Sequence, residues 1–277
     1  MTGSDDGHVS FRKPPAVETL QGVFFRPLPE FSSALQGLLW AKCFRSDFPN
    51  VEEKICLEDI SEPFGEQMAY PRTMGIRVSD KPESPRLWAR SNDGKHVLQI
   101  QWNAFVTNWL RDKDQPQYVN YEDRRKDFAA KLRTLTRFLA DENLGNCAPT
   151  GCLMTYVNHV DIEALEIEPS RAADVFTFFR KETNTGWLSS PDQLTMNLSY
   201  PMPNERGRLH VQVVPAVKIT KDKREFVMRF ELTARGKPET DTIESALEWL
   251  NLGHEWIVRG FVDFTRPTWH STWERET

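Results

Sequence analysis

The sequence predicts an α+β fold of two pseudo-equivalent halves, each running strand, helix, antiparallel meander, long helix. Three observations carry this expectation. Strand-like runs follow one another through hairpin signals rather than crossover helices, so pairing should be antiparallel. Two long amphipathic patterns, over 121–142 and 241–264, each close a block of strands. The element order of 16–142 then recurs in 150–264, where Leu28-Pro29-Glu30-Phe31 and Ile167-Glu168-Pro169-Ser170 each lead into a first helix. An internal repeat produces this order, and so does an ordinary α+β chain rich in hairpins. The predicted layout is a disordered tail over 1–10, an N-terminal half over 11–145, a C-terminal half over 146–264, and a Trp-containing tail over 265–277.

Residues 1–10 are small and polar, which predicts disorder. After Pro14-Pro15, Val17, Leu20, Val23, Phe24 and Phe25 predict a strand over 16–26. A helix over 30–46 follows, with Phe31, Leu35, Leu38, Leu39 and Cys43 at helical spacing, and Pro49 stops it. Ile55, Leu57 and Ile60 suggest a weak strand in 50–70. Short strands follow over 72–79 and 86–92, with Pro82 and Pro85 marking the turn between them. Asn92-Asp93-Gly94-Lys95 is a hairpin signal, because positive φ is cheapest at Gly. Alternation over 96–109 predicts one long strand with Gln99, Gln101 and Asn103 on one face. Asn120 is placed to cap the helix over 121–142, whose stripe is Phe128, Leu132, Leu135, Phe138 and Leu139. Arg124, Arg125, Lys126, Lys131, Arg133 and Arg137 stud its remainder and read as a solvated face.

The second half opens with a strand over 150–162. A short helix should carry Ala172, Ala173, Val175, Phe176 and Phe179. Strands over 193–200, 208–219 and 225–235 follow. Asp241-Thr-Ile-Glu244 reads as a capping box opening the last helix. Ile243, Leu247, Leu250, His254, Ile257, Val258 and Phe261 lie on one face of that helix.

A chain of 277 residues buries enough surface to fold without staples. The net charge of −5 argues against a dedicated nucleic-acid binder, which carries a basic footprint. Cys43, Cys56, Cys147 and Cys152 are too scattered for a disulfide framework, and Cys147-x4-Cys152 lacks the second pair a zinc site needs. The start lacks the basic and apolar regions of a signal peptide, and no apolar run approaches the ~20 residues of a membrane span. A cytoplasmic protein is expected, with no membrane association.

Phe11-Arg-Lys-Pro-Pro-Ala-Val-Glu18, Leu98-Gln-Ile-Gln-Trp-Asn-Ala-Phe105, Asn108-Trp109, Tyr156-Val-Asn158 and His254-Glu-Trp-Ile-Val-Arg-Gly-Phe261 span nearly the whole chain. In these segments the chain resembles a sporadically distributed family of uncharacterised prokaryotic proteins of about this length. The resemblance carries over no catalytic residue. The family's patchy distribution implies carriage in mobile or defence-related gene clusters. The element order is also similar to a duplicated TATA-box-binding-protein-like saddle, and to a helix-grip fold.

No phosphate loop, zinc-protease helix or nucleophile elbow is present. No catalytic residue, metal ligand or cofactor is therefore assigned. An arginine fork beside amides suits a carboxylate or phosphate, so Arg86, Gln99, Gln101 and Asn103 form the expected ligand site. Trp and Arg are frequent interface anchors, so Trp269, Trp273 and Arg275 are the expected partner contacts, unless the tail folds back onto the body. His159 and Asp161 share a strand face and read as a polar pair. His254, in an apolar stripe, reads as a core histidine. The expected function is a non-enzymatic binding or regulatory protein acting with a protein partner. A small-molecule or anionic-ligand protein, enzymatic or not, is the alternative. A nucleic-acid-binding saddle is the third.

Overall fold

The computed structural model describes residues 9–58, 60, 62, 64, 85–111, 118–161, 174–178, 187, 195–219 and 224–276. The strand expected over 72–79 and most of the tail over 1–10 lie outside the described residues. In chain order the elements are β1 (Ser10–Phe11), β2 (Ala16–Phe25), α1 (Ser33–Leu39) continued by a π-helical turn (Trp40–Phe44), β3 (Asn50–Lys54), β4 (Arg86–Arg90), β5 (His96–Gln101), β6 (Ala104–Leu110) and α2 (Tyr121–Asp141). Next come β7 (Pro149–Asp161), β8 (Met196–Pro201), β9 (Gly207–Ile219), β10 (Arg224–Gly236), α3 (Ile243–Phe264), α4 (Pro267–His270) and β11 (Arg275–Glu276).

Nine strands form one mixed-length sheet in the order β3-β4-β5-β6-β2-β7-β10-β9-β8, and every pairing in it is antiparallel. The two blocks of strands meet where β2 pairs with β7, Gly22 opposite Leu153. The alternation of strand side chains divides the sheet into two unlike faces. Val23, Phe25, Leu98, Ile100, Phe105, Cys152, Met154, Phe230 and Leu232 face one way and join α1, α2 and α3 in a single core. Gly260 allows α3 close approach to the sheet, since a Cβ there would come 2.8 Å from Leu209 Cδ2. The other face carries the polar half of each strand. Part of it is covered by Leu57 and Ile60, where Ile60 packs on Phe24, Ala104 and Leu153.

Several elements differ from expectation for identifiable reasons. The strand expected over 96–109 is a hairpin, with Gln101 opposite Ala104 and the turn at Trp102-Asn103. Neither turn residue has positive φ, so the turn needs no glycine and carries no glycine signal. The helix expected over 30–46 is interrupted by the π-helical turn, in which the Arg45 N–H donates to Trp40 O. The extra residue rotates the stripe, so Phe44 is buried and Cys43 is exposed. The weak strand proposed from Ile55 to Ile60 lies earlier, at Asn50–Lys54, and Ile55 is 88% exposed. Asp174–Phe178, the described part of the expected short helix, is a turn whose Phe176 bridges Thr265. Trp187 is 97% exposed.

The cap of α3 is Thr242, one residue later than expected. Its hydroxyl accepts from the Ser245 N–H at 3.2 Å. Asn120 caps α2 from its expected position, accepting from the Asp123 N–H at 2.9 Å. Ser10 is not part of a disordered tail. It pairs with Glu276, and β1–β11 forms a two-stranded ribbon joining the two ends of the chain.

Candidate functional site

The expected ligand residues come together on the polar sheet face. Arg86 Nη1 donates to Gln99 Oε1 at 2.7 Å, and Gln99 Nε2 donates to Asn108 Oδ1 at 2.6 Å. Asn108 Nδ2 then donates to Glu18 Oε1 at 2.6 Å. This ladder crosses β4, β5, β6 and β2. Gln101 is held by Leu57, accepting from its N–H at 2.7 Å, and donates to Asn103 Oδ1 at 2.5 Å. Gln99 and Gln101 are buried, which is why their amides must be satisfied. Lys54, Arg86 and Arg90 surround the Trp88 ring at 5.1, 5.9 and 5.8 Å. The amides are spent on one another, and none of Arg86, Gln99, Gln101 and Asn103 lines the cavity described below.

Of the expected partner residues, the two tryptophans turn inward and Arg275 stays exposed. Trp273 is buried against Phe261 at 5.1 Å, and Trp269 Nε1 donates to Asp174 O at 2.8 Å. Arg275 lies in the terminal ribbon, near His270 Nδ1 at 3.4 Å. His159 and Asp161 sit on the polar face of β7, where burial and then Arg229 lower the His159 pKa.

The largest convergence of chemistry is on the helix face. A cavity of about 310 Å³ opens between the sheet centre, the start of α2, the middle of α3 and the terminal ribbon. Phe11, Leu232, Ile257, Val258 and Phe261 supply apolar wall, and Tyr118, Tyr121, Tyr156, Asn158 and His254 supply polar atoms. Strand parity brings Tyr156 and Asn158 to this face of β7, and helical spacing brings His254 and Ile257 to it from α3. Tyr121 stacks on His254 with centroids 3.8 Å apart, and its hydroxyl donates to Asn251 Oδ1 at 2.9 Å. The two long helices are thereby tied together over the cavity.

Behind Tyr118 and Tyr156 lies Arg124, which the sequence placed on a solvated face. It is buried instead. Its Nη2 donates to the Tyr118 and Tyr156 hydroxyls, each at 2.9 Å. Its Nη1 donates to Thr19 Oγ1, and its Nε to Asn120 O at 3.3 Å. Tyr156 Oη also meets His254 Nδ1 at 2.9 Å. A guanidinium can only donate. The Tyr156 oxygen therefore accepts from Arg124, and the tautomer of His254 sets whether it also accepts the Nδ1–H or sends its own hydrogen to Nδ1. Burial pushes the Tyr156 hydroxyl well above the usual phenol range, against the opposing pull of Arg124, and burial raises Tyr121 as well. Both rings stay protonated at neutral pH.

Among the described residues no cluster of three or more His, Cys, Asp or Glu is arranged to hold a metal ion. No helix among them is long and apolar enough to cross a membrane. Position could have found Arg124: it stands four residues before Phe128 and three after Tyr121, on the buried stripe. No family model and no curated protein matches the sequence.

Proposed function

We propose that this protein is a small-molecule-binding protein whose site is the cavity between the sheet centre and helices α2 and α3. The observation that carries the reading is the cavity itself: about 310 Å³, largely apolar, with tyrosine, histidine and asparagine side chains converging on one region. Sites for small ligands have this form, a concave apolar volume of roughly 300–1,000 Å³ with a few placed polar groups. The sheet order supports reading the chain as two repeated units, because the first strand of each block, β2 and β7, lies at the centre and the rest of each meander runs outward. Such a duplication puts the cavity on the seam between units, in the manner of a helix-grip arrangement. The four cysteines are unbridged, which agrees with a cytoplasmic protein. The test is a thermal-shift screen of small amphiphiles against the wild-type chain and against Ile257→Trp, which fills the cavity. Ligands that stabilise only the wild type support the reading, and a screen with no wild-type-selective ligand rejects it.

A protein partner is the second reading, in the regulatory or defence-related role that the family resemblance implies. It is favoured by exposed apolar side chains at the far end of β9 and β10, where Val217, Ile219 and Phe226 are 46%, 67% and 53% exposed. Val217 lies opposite Phe226 in register, so the two share a face. Lack of any stoichiometric protein in pull-downs from the native host would count against this reading.

A further inference from the structure

We infer that the ligand of the cavity is an amphiphilic anion, a carboxylate on an apolar body, whose charge is offset by the buried Arg124 guanidinium through the Tyr118 and Tyr156 hydroxyls. The inference rests on the cavity being a ligand site and goes further by naming the charge of what it takes.

Three features of the cluster point this way. First, Arg124 is a permanent cation, since a guanidinium does not lose its proton in a protein. It is buried, and among the described residues no carboxylate pairs with it. Its partners are three neutral hydroxyls and a backbone carbonyl, with the Tyr118 and Tyr156 rings 5.3 and 5.2 Å from its carbon. Burying a charge without a counter-charge is costly, and hydroxyls recover only part of its lost hydration. The acids nearest in sequence are engaged elsewhere: Asp127 with Lys131, Asp123 with Asn120.

Second, the tyrosines do not supply the missing negative charge, because burial keeps Tyr156 protonated. The cluster as a whole therefore carries one positive charge against one end of the cavity. Third, Tyr118 and Tyr156 line the cavity, and Arg124, which donates to both, is outside its lining. Each receives a hydrogen bond from the guanidinium, and with the His254 proton on Nδ1 the Tyr156 hydrogen is left to donate to an anion on the far side. Within the wall, Glu276 is already met by Arg12 at 3.0 Å and by Ser10 at 3.1 Å. Glu122 lies on the exposed first turn of α2. The apolar wall accommodates the body of the ligand and the polar end its head.

Octanoate and octan-1-ol separate charge from shape, having the same chain and different heads. Both would be titrated calorimetrically into the full-length wild type and into Arg124→Met, Tyr118→Phe and Ile257→Trp. Octanoate should bind the wild type roughly tenfold or more tighter than the alcohol, as expected for opposite charges at close range in a partly desolvated site. Arg124→Met should abolish that preference while leaving octanol affinity unchanged. Tyr118→Phe, which keeps the ring, should reduce the preference without loss of fold. Ile257→Trp should abolish binding of both. Wild-type protein that takes octanol as tightly as octanoate overturns the anion inference and leaves the cavity reading standing. A preference that survives Arg124→Met overturns it too, by placing the recognition on another cation. Binding of neither probe rejects both the inference and the cavity reading.

Discussion

At the scale of single residues, charge misled where position did not. Arg124 was grouped with the basic studs of its helix by residue type, yet helical spacing sets it in line with Phe128, Leu132 and Leu135, all buried. Nothing in the sequence shows which three hydroxyls would meet it, because Thr19, Tyr118 and Tyr156 come from three separate segments. An unpaired buried cation is a poor stabiliser, and apolar replacement of buried ionic groups is often neutral or favourable. Arg124→Met should therefore change the stability of the ligand-free protein by no more than about 1–2 kcal/mol in either direction, measured by urea denaturation. A loss beyond about 4 kcal/mol would mean that the hydroxyl contacts hold the fold together rather than serve a ligand.

Histidines set a second residue-scale expectation. His96, His159 and His270 all lie below the ordinary imidazole value of 6.5, chiefly because burial disfavours the charged ring. Arg229 adds to the effect at His159 and Arg275 at His270, while Asp93 opposes it at His96. Since the folded pKa is depressed, the unfolded chain takes up protons first as pH falls through 6.5. Their contribution is therefore intact above that value and declines below it, down to the folded pKa of each ring. The urea midpoint should drop between about pH 7.5 and about pH 5.5, and His159→Gln should flatten that slope. A midpoint that rises on acidification would contradict the burial assigned to these rings.

At the scale of elements, long periodic segments were legible and short irregular ones were not. Helix α2, the cap at Asn120 and the strand pairs of β9 and β10 lie within a residue or two of expectation, because period and capping chemistry act locally. The Trp102-Asn103 turn and the π-helical turn at Trp40–Phe44 carry no glycine or proline mark. The cap of α3 was missed by one residue because Asp241 and Thr242 are both good N-caps, and the side-chain bond from Ser245 N goes to Thr242. Thr242→Ala should therefore cost about 1 kcal/mol. Glu244→Ala, at an exposed first-turn position, should stay within about 0.5 kcal/mol. Leu250 is fully buried on the stripe that packs against β7 and β10, and Leu250→Ala should cost about 2–5 kcal/mol. Denaturation of the three variants side by side gives the order Leu250, Thr242, Glu244. A larger loss at Glu244 than at Thr242 would restore the capping box one residue earlier.

At the scale of the whole molecule, the two expected halves share one continuous sheet. The deciding contact is the β2–β7 pairing, which joins strands far apart in the chain and has no turn to announce it. Its register runs from Ala16 opposite Asn158 to Phe25 opposite Pro149, with irregularities at either end. The core on the helix face is likewise shared, with Phe105, Phe128, Tyr156 and Phe230 in one cluster. Tyr121 on α2 and His254 on α3 add a stacked contact across the same seam. Neither block of strands can lose the other without exposing a long central strand edge and half of an apolar face, which favours aggregation over independent folding. The protein should thus unfold in one transition, with fluorescence and far-ultraviolet circular dichroism coinciding across urea. Cutting the chain between α2 and β7, at 143–148, should give two pieces that remain insoluble or unfolded apart and recover the native spectrum when expressed together. Two resolved transitions in the intact chain, or a soluble, cooperatively folded piece over 9–145, would show that the seam is an interface between independent domains. The cavity would then lie between bodies free to move, and the position of Arg124 behind it would no longer be fixed by the fold.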